Sequence, residues 1–356
     1  MKIRDYDFEL PEGLIADYPV AQRDCSRLLV LDRNSKSTDH RQFYEVADYL
    51  QRGDILVLNN SKVYPARLFG QKHSGGKVQV LLNREIKNGL WEVVGKGLKV
   101  GVEIVFDGGA LVGKVMQKEN DTYQIDFNLR GNDFFQEVEK IGQIPLPPYI
   151  EKKRLNGKLV DFDDKSSYQT VYAKETGSVA APTAGLHFTP ALLEKLRRKG
   201  IKILEITLHV GLGTFQPIKT ENIEDHEIHS ESYEIKASVL KEILAAKANK
   251  RKVFAVGTTS TRVLEHLFSC EEKGIKRLVE AEEDEMILSG QTRIYIYPGY
   301  RFRCVDAMIT NFHLPKSSLM LLVSAFADRD LMMKTYQEAI ERKYRFYSYG
   351  DAMIIL

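Results

Sequence analysis

The hydrophobic positions of this 356-residue chain follow two patterns, which change near residues 67 and 150. Between these points, short runs alternate apolar and polar residues, and glycine-containing turn signals separate them. This alternation predicts antiparallel strands joined by tight turns. The runs are VQVLL (78–82), LWEVV (90–94), VEIVF (102–106), ALVGKV (110–115) and DTYQIDF (121–127). We therefore predict a small antiparallel β-barrel or sandwich as an inserted domain over residues 62–149.

Outside this segment, continuous apolar runs alternate with helical spacing. The runs that predict strands are ILVL (55–58), LEITLHV (204–210), VFAV (253–256), CVDAMIT (304–310) and the C-terminal AMIIL. Helices are expected from about residue 190, from a Ser238 cap, directly after the segment 257–261, as a serine-capped apolar helix between Pro315 and Phe326, and around 330–343. A fully apolar run such as 55–58 favours a central parallel strand. The pattern predicts an α/β main domain with a barrel-like or largely parallel sheet, formed by residues 1–61 and 150–356.

The loop GSVAAPTAGLHFT (177–189) leads into one of these helices. Thr189 is a suitable N-cap and Pro190 suits the first helical position. His187 is thereby expected near the positive end of a helix dipole, where an anion or a polar substrate edge is favoured. A plain turn before a helix is the alternative interpretation.

Composition changes this picture little. Hydrophobic residues make up 43% of the chain and charged residues 28%, with a net charge of +2, which is typical of a globular protein and not of a strongly basic nucleic-acid binder. No apolar run is long enough for a membrane span, and the N-terminal stretch lacks the apolar core of a signal peptide. Three scattered cysteines form no disulfide or metal-binding pattern, so we expect a reducing cytoplasm.

Polar, small-residue segments follow several of the predicted strands. They contain Asn59 and Asn60, His209 with residues 211–215, the segment 258–262, and Asn311 with His313. In α/β sheets and barrels the carboxyl ends of parallel strands form one edge, where ligands bind. We therefore predict a single site at this edge, which the loop 177–189 joins.

Taken one at a time, these segments do not identify a particular ligand or reaction. GTTSTR (257–262) offers hydroxyl and backbone N–H groups at a helix start, which suits a carboxylate or phosphate but equally a simple cap. VGLGT (210–214) lacks the third glycine of a dinucleotide fingerprint. HEIHSE (226–231) lacks the spacing of a zinc motif, so polar surface is favoured and no metal is expected, while acid–base work or RNA contact stays open.

Ordered motifs along nearly the whole chain resemble those of the S-adenosylmethionine:tRNA ribosyltransferase-isomerase family of queuosine biosynthesis. They are DYDFELP (5–11), IADYP (15–19), LNNSKV (58–63), AR (66–67), GQIPLPPY (142–149), YQTVY (168–172), AAPTAGLHF (180–188), HVGLGTF (209–215), GTTSTR (257–262), TNFHLPKSS (310–318) and YGDAM (349–353). The resemblance implies transfer and isomerisation of the ribosyl part of S-adenosylmethionine onto 7-aminomethyl-7-deazaguanine at the tRNA wobble position. It further implies epoxyqueuosine-tRNA, adenine and methionine as products. S-adenosylmethionine is then a consumed substrate, and no cofactor is expected.

The implied chemistry assigns hypothetical roles to the motif residues. His187 and His313 are expected to transfer protons, with His209 in reserve, because imidazole titrates near neutral pH. Thr258, Thr259 and Arg262 are expected to hold the methionine carboxylate, and Asn59, Asn60 and Asn311 to contact base edges. The further expected substrate-binding residues are Arg67, Thr183, Gly185, Gly211, Gly213 and Thr214. The partners are tRNA carrying the modified base and S-adenosylmethionine, and a monomer is expected.

Two alternatives belong to other classes. An RNA-binding module would grip a folded anticodon arm and release no adenine. A hydrolase of nucleoside-like substrates would release adenine without tRNA.

Overall fold

The computed structural model describes residues 1–150, 154, 163–211, 218–269 and 285–356. Its largest element is a nine-stranded mixed sheet. In spatial order the strands are β15 (Ile287–Thr292), β13 (Glu231–Lys236), β12 (Lys202–Leu208), β3 (Ile55–Asn59), β14 (Val253–Val256), β16 (Ala307–Asn311), β17 (Ala352–Ile355), β1 (Arg27–Asp32) and β2 (Ser37–Gln42). The predicted α/β class is confirmed, and the sheet is open.

The central strands β12, β3, β14 and β16 run parallel, as the apolar run at 55–58 predicted. Antiparallel pairs β12–β13, β13–β15, β16–β17 and β1–β2 lie on either side of this centre, so the sheet is mixed. Every residue of β3, β14 and β16 is buried. Burial on both faces explains why these strands are continuously apolar and not alternating.

Alternate residues of β3 enter two hydrophobic cores. Ile55 and Val57 pack with apolar residues of the helices α4 (Ala237–Ala248), α5 (Gly257–Ser269), α6 (Ser318–Ala327) and α7 (Arg329–Glu341). Leu56 and Leu58 pack with helix α3 (Pro190–Lys199) and the 3₁₀ helix Phe43–Tyr49. The other 3₁₀ helices are Ile3–Tyr6, Glu12–Leu14, Arg23–Cys25, Thr183–His187 and Ile223–Asp225.

Two predicted helix starts have different outcomes. Helix α3 begins after Thr189, whose Oγ1 accepts a hydrogen bond from the Leu192 N–H at 3.1 Å, and this prediction is confirmed. Helix α4 begins at Ala237 with Lys236 as N-cap and no side-chain cap, so the expected Ser238 cap is wrong. The antiparallel strand β13 runs directly into α4 and ends at Lys236, one residue before the helix begins.

A closed six-stranded antiparallel barrel lies within the predicted insertion. Its strands are β5 (Arg67–Lys72), β6 (Lys77–Lys87), β7 (Leu90–Lys96), β8 (Glu103–Phe106), β9 (Val112–Glu119) and β10 (Thr122–Phe127). Helix α1 (Gly131–Ile141) packs Phe134 and Val138 against the barrel core. The barrel is confirmed, whereas the domain limits at 62 and 149 stay a prediction.

The remaining elements are β4 (Ser61–Val63), which pairs in parallel with β11 (Glu175–Ser178), and the short helix α2 (Asp164–Ser167). In the described parts of the chain, no helix combines the length and apolar character that crossing a membrane requires.

Candidate active site

A cleft of about 740 Å³, open to solvent, lies at the carboxyl edge of the central parallel strands. Val210 follows β12, Gly257 follows β14, and Asn311 ends β16. The loop after β11 supplies residues 180–184. The lining residues are Tyr149, Ala180, Ala181, Pro182, Thr183, Ala184, Val210, Gly257, Thr258, Thr259, Thr310, Asn311, Phe312, His313, Leu314, Ser317, Leu319, Tyr347 and Ser348. Segments that are far apart in sequence therefore meet where the strand-end argument predicted.

The start of helix α5 forms one wall of the cleft. Gly257 has a φ of +84°, in the left-handed region that glycine adopts without strain. Thr258 and Thr259 follow it, and the buried Thr259 Oγ1 has no hydrogen-bond partner among the described residues. An unpartnered buried hydroxyl is costly, and the helix start carries partial positive charge. This wall is suited to an electronegative group of a ligand.

His313 is the only one of the three predicted histidines that lines this cleft. Its Nε2 lies 2.9 Å from Thr310 Oγ1, and its backbone N–H donates to the hydroxyl of Tyr336 at 3.0 Å. Burial lowers the pKa of His313 to about 3, so the imidazole is neutral at physiological pH. A neutral imidazole can accept a proton or a hydrogen bond at the cleft surface.

His187 lies behind the cleft wall. Asn311 Nδ2 donates to its Nε2 at 3.0 Å, so the Nδ1–H donates to Ser26 Oγ at 2.7 Å, and the ring packs on Phe43. Burial, with the charges of Arg345 and Arg23, lowers the pKa of His187 to about 3. Both ring nitrogens are thus engaged. Hydrogen bonds at both ring nitrogens fit a positioning role better than the expected proton transfer, which stays a prediction.

The positioning acts on a residue that does face the cleft. Asn311 Oδ1 accepts a hydrogen bond from Thr183 Oγ1 at 2.9 Å while its Nδ2 is held by His187. Ser26, His187, Asn311 and Thr183 therefore form one hydrogen-bonded chain that links the loop 177–189 to the end of β16. Sequence reasoning missed Ser26, because nothing in its local pattern distinguishes this buried serine from the serines of exposed loops.

Two tyrosines that sequence reasoning also missed complete the cleft. The rings of Tyr149 and Tyr347 lie 4.8 Å apart between centroids. The Tyr149 hydroxyl donates to Ser348 Oγ at 2.6 Å and accepts from the Ser348 N–H at 3.0 Å. Burial raises the pKa of Tyr149 to about 12, so its hydroxyl stays protonated. The proline-rich stretch that ends at Tyr149 was the sequence feature that could have identified this residue as part of the site.

Asn59 and Asn60 hold strands together and do not line the cleft. Asn59 donates from Nδ2 to the Leu208 carbonyl at 3.0 Å and accepts from the Leu208 and Ser61 N–H groups. Asn60 Oδ1 accepts from Thr207 Oγ1 at 2.7 Å, and its Nδ2 donates to Glu205. Their amides are occupied within the protein. The expected contact with base edges therefore does not match their geometry.

Arg262 is separated from Thr258 and Thr259. It lines a second cavity of about 470 Å³, where its Nη1 pairs with Glu231 and its Nε donates to the Ile294 carbonyl at 3.3 Å. The expected three-residue carboxylate clamp is thus divided between two cavities. Thr258, Thr259 and Arg262 lie within about one turn of the same helix. It is the pairing of the Arg262 guanidinium with Glu231 and the Ile294 carbonyl that places it in the second cavity.

The other predicted residues that the structure describes lie outside the cleft lining. Gly185 is required because a Cβ there would lie 1.9 Å from the Tyr172 hydroxyl oxygen. His209 packs its ring beside Gly177, and burial lowers its pKa. Arg67 begins β5 and pairs through its backbone with residue 143, and a Cβ on Gly211 would face Asn83. Gly213 and Thr214 lie outside the described residues.

Among the described residues, no three His, Cys, Asp or Glu side chains are grouped as a metal site. His226 and His229 line the second cavity beside Glu231. The favoured interpretation of this segment as polar surface is thus too simple, since His226 is half-buried.

The chain is similar to known proteins over its full length. It is 48% identical over 361 residues to the S-adenosylmethionine:tRNA ribosyltransferase-isomerase of Halothermothrix orenii, and 49% identical over 362 residues to that of Desulfitobacterium hafniense, covering all of each chain. A solved structure, the S-adenosylmethionine tRNA ribosyltransferase of Thermotoga maritima, matches with a TM-score of 0.54 and 34% identity. That match covers 99% of this chain and 100% of the other.

A family model described as "Queuosine biosynthesis protein" matches residues 3–355. The matched region includes the barrel, the mixed sheet and every segment that lines the cleft. Because this match spans almost the whole chain and the relatives agree with it in length, the chain belongs to the queuosine biosynthesis protein family.

Proposed function

We propose that this protein is an S-adenosylmethionine:tRNA ribosyltransferase-isomerase. The observation that carries the proposal is the full-length identity of 48–49% to two proteins of that name, each matched from end to end. In the proposed reaction, the ribosyl part of S-adenosylmethionine is transferred to 7-aminomethyl-7-deazaguanine at the tRNA wobble position. It is isomerised to an epoxycyclopentane, and adenine and methionine leave. S-adenosylmethionine is a consumed substrate, and no cofactor is invoked.

The cleft suits a flat heterocycle with polar edges. The small residues 180–184 leave space beside the aromatic rings of Tyr149 and Tyr347. The hydroxyls of Thr258 and Thr259 and the amide of Asn311 offer hydrogen bonds at its walls. A pocket with mostly apolar walls and a few convergent polar groups is the usual form of a small-molecule site.

His313 is the candidate proton acceptor of this reaction. The sulfonium acidifies the adjacent ribose carbon, and a base must remove a proton there. His313 is neutral, lines the cleft and keeps its Nε2 oriented through Thr310. Because burial keeps the ring uncharged at neutral pH, His313 is available as an acceptor and not as an imidazolium donor. The attacking amine must also be neutral, which a mostly apolar site favours by lowering the pKa of the amine.

The activity is tested by incubating the protein with S-adenosylmethionine and tRNA that carries the aminomethyl precursor. We expect stoichiometric adenine and methionine, together with ribosyl-modified tRNA. Both should require the precursor tRNA. Adenine release without tRNA would support a nucleoside hydrolase instead, and tRNA binding without adenine release would support an RNA-binding module.

A cytoplasmic location, a monomeric state and contact of the barrel and basic helix ends with the anticodon stem remain predictions. Helix α3 ends with the consecutive basic residues Arg197, Arg198 and Lys199, all exposed. Such a surface supports binding to a phosphate backbone.

A further inference from the structure

The second cavity lies beside the cleft and shares a wall with it. Leu319, near the start of α6, lines both cavities, while Ser317 faces the cleft and Ser318 the second cavity. The start of α5 has the same arrangement, with Thr259 on the cleft side and Arg262 on the other. The two cavities are therefore neighbours across these helix starts.

The second cavity contains an acidic and a basic side chain that are both buried. Arg262 is 8% exposed and Glu231 is 5% exposed, and they form an ion pair. The remaining guanidinium nitrogen, Arg262 Nη2, has no hydrogen-bond partner in the described part of the chain. A buried donor without an acceptor is costly, and a carboxylate matches the guanidinium fork. Arg262 therefore has capacity to bind an anionic group.

The rest of the lining restricts the class of ligand. Five residues of the lining are aliphatic: Ile228, Ile294, Ile296, Leu319 and Leu322. The Glu231 carboxylate repels a phosphate but accepts hydrogen bonds from an ammonium group, because an ionised carboxylate has several acceptor positions. A cation, an anion and an aliphatic wall together match a zwitterionic amino acid with an apolar side chain.

We infer that the second cavity binds the methionine end of S-adenosylmethionine, an inference that rests on the proposed function. The α-carboxylate binds Arg262, the α-ammonium group binds Glu231, and the methylene chain contacts the aliphatic wall. The nucleoside end then occupies the cleft, and the link between the two ends of the ligand passes the wall that the cavities share at Leu319. After the reaction, methionine is released from the second cavity and adenine from the cleft.

The test compares S-adenosylmethionine with its decarboxylated analogue in tRNA-dependent adenine release. The wild type should prefer S-adenosylmethionine in kcat/KM by about tenfold to hundredfold, as expected for a charge-assisted contact. In Arg262→Gln this preference should fall to near one, without a matching rise in KM for tRNA. Arg293→Gln is the matched control, because Arg293 is exposed and does not line the cavity. It should keep the wild-type preference.

Arg262→Gln leaves the buried Glu231 carboxylate without its guanidinium partner, and this loss can prevent folding. A second variant therefore tests the same site. Ile228→Trp fills the cavity from a half-buried loop position and keeps the ion pair. It should raise KM for S-adenosylmethionine about tenfold or more, since its ring would displace the methylene chain. An unchanged KM in Ile228→Trp would overturn the inference, as would an unchanged substrate preference in folded Arg262→Gln. A selective rise in KM for tRNA would overturn it in favour of a backbone phosphate.

Calorimetry with S-adenosylmethionine separates this inference from the proposed function. Suppose that the wild type releases no adenine but binds S-adenosylmethionine, and that Ile228→Trp weakens this binding. The inferred binding site is then supported and the proposed activity is contradicted. If adenine is released and neither variant changes the affinity for S-adenosylmethionine, the proposed activity is supported and the inferred binding site is contradicted.

Discussion

Two histidines in similar motifs have different surroundings in the folded protein. His187 has hydrogen bonds at both ring nitrogens, whereas the His313 ring, within the described residues, has a side-chain hydrogen bond only at Nε2 and lines the cleft. Burial keeps both rings neutral, since the charged imidazolium would lose its hydration. The two rings therefore differ in their hydrogen bonds and in their position relative to the cleft, which is why we expect a reacting role for His313 and a positioning role for His187.

Replacing each histidine by glutamine should separate these roles. We expect His313→Gln to lower kcat for adenine release by about 10²-fold or more, the usual loss of a general base. His187→Gln should lower kcat by less than about tenfold, because glutamine can still hydrogen-bond Asn311. Steady-state kinetics with saturating tRNA measures both. If His187→Gln is inactive while His313→Gln remains active, the assignment is reversed.

The buried neutral histidines also predict a pH dependence of stability. The pKa of His187 is about 3 in the folded protein, against 6.5 for the free side chain. Between these values the unfolded chain binds one more proton, so the free energy of unfolding falls as pH falls, by up to about 1.4 kcal/mol per pH unit. His187→Gln should reduce this slope between about pH 6.5 and 3 in denaturant titrations. An unchanged slope would show that His187 is not buried in the neutral form.

A substitution of Thr259, at the start of α5, tests whether this side chain contacts the substrate. Its hydroxyl has no hydrogen-bond partner among the described residues, so Thr259→Val should leave stability unchanged or slightly raised. It should weaken substrate binding by about 1 kcal/mol, or roughly fivefold in KM. The matched control is Thr261→Val. Thr261 Oγ1 donates to the Gly257 carbonyl at 3.1 Å, so that variant should lose about 1 kcal/mol of stability with KM little changed. Identical effects of the two variants would contradict a ligand-facing Thr259.

At the scale of elements, the cleft depends on how strand ends are joined. Asn59 at the end of β3 hydrogen-bonds both backbone groups of Leu208 at the end of β12. It thereby aligns two strands that are distant in sequence. Asn59, which the motif LNNSKV suggested as a substrate contact, thus helps to determine the geometry of the sheet edge.

Asn59→Ala is therefore expected to act on stability and not on recognition. It leaves buried backbone groups of Leu208 and Ser61 unsatisfied and should cost about 2–4 kcal/mol in chemical denaturation. Asn128→Ala is the control, because exposed Asn128 makes similar backbone hydrogen bonds in the barrel and should cost less than about 1 kcal/mol. A normal stability with a large rise in KM for S-adenosylmethionine would instead support base recognition by Asn59.

At the scale of the whole molecule, the protein consists of a barrel and a mixed sheet, and its net charge is only +2. Binding of tRNA must then rely on local basic surfaces such as the end of α3. Binding to phosphates releases counterions and weakens with salt. We expect KM for tRNA to rise steeply between about 50 and 200 mM salt, while KM for S-adenosylmethionine changes little. Equal salt dependence of both constants would argue against such a surface.

The sequence alone determined the class and order of most barrel strands and of the central sheet strands, but it did not identify β1, β2, β13 or β15. Period-two alternation identified the barrel strands, except β5 (67–72), and continuous apolar runs identified β3, β14 and β16, because side-chain periodicity follows local backbone geometry. It also indicated a site at the carboxyl edge, since parallel strands end on one side.

Only the tertiary structure decided which polar side chains face that site. Asn59, His187 and Asn311 follow strands or loops in the same way, yet Asn59 joins strands, His187 supports Asn311 and only Asn311 lines the cleft. Arg262 and Thr259 share a helix but belong to different cavities. These outcomes depend on partners such as Ser26, Leu208 and Glu231, which are distant in the chain. Local periodicity carries no information about such contacts, because they form only when the elements pack together.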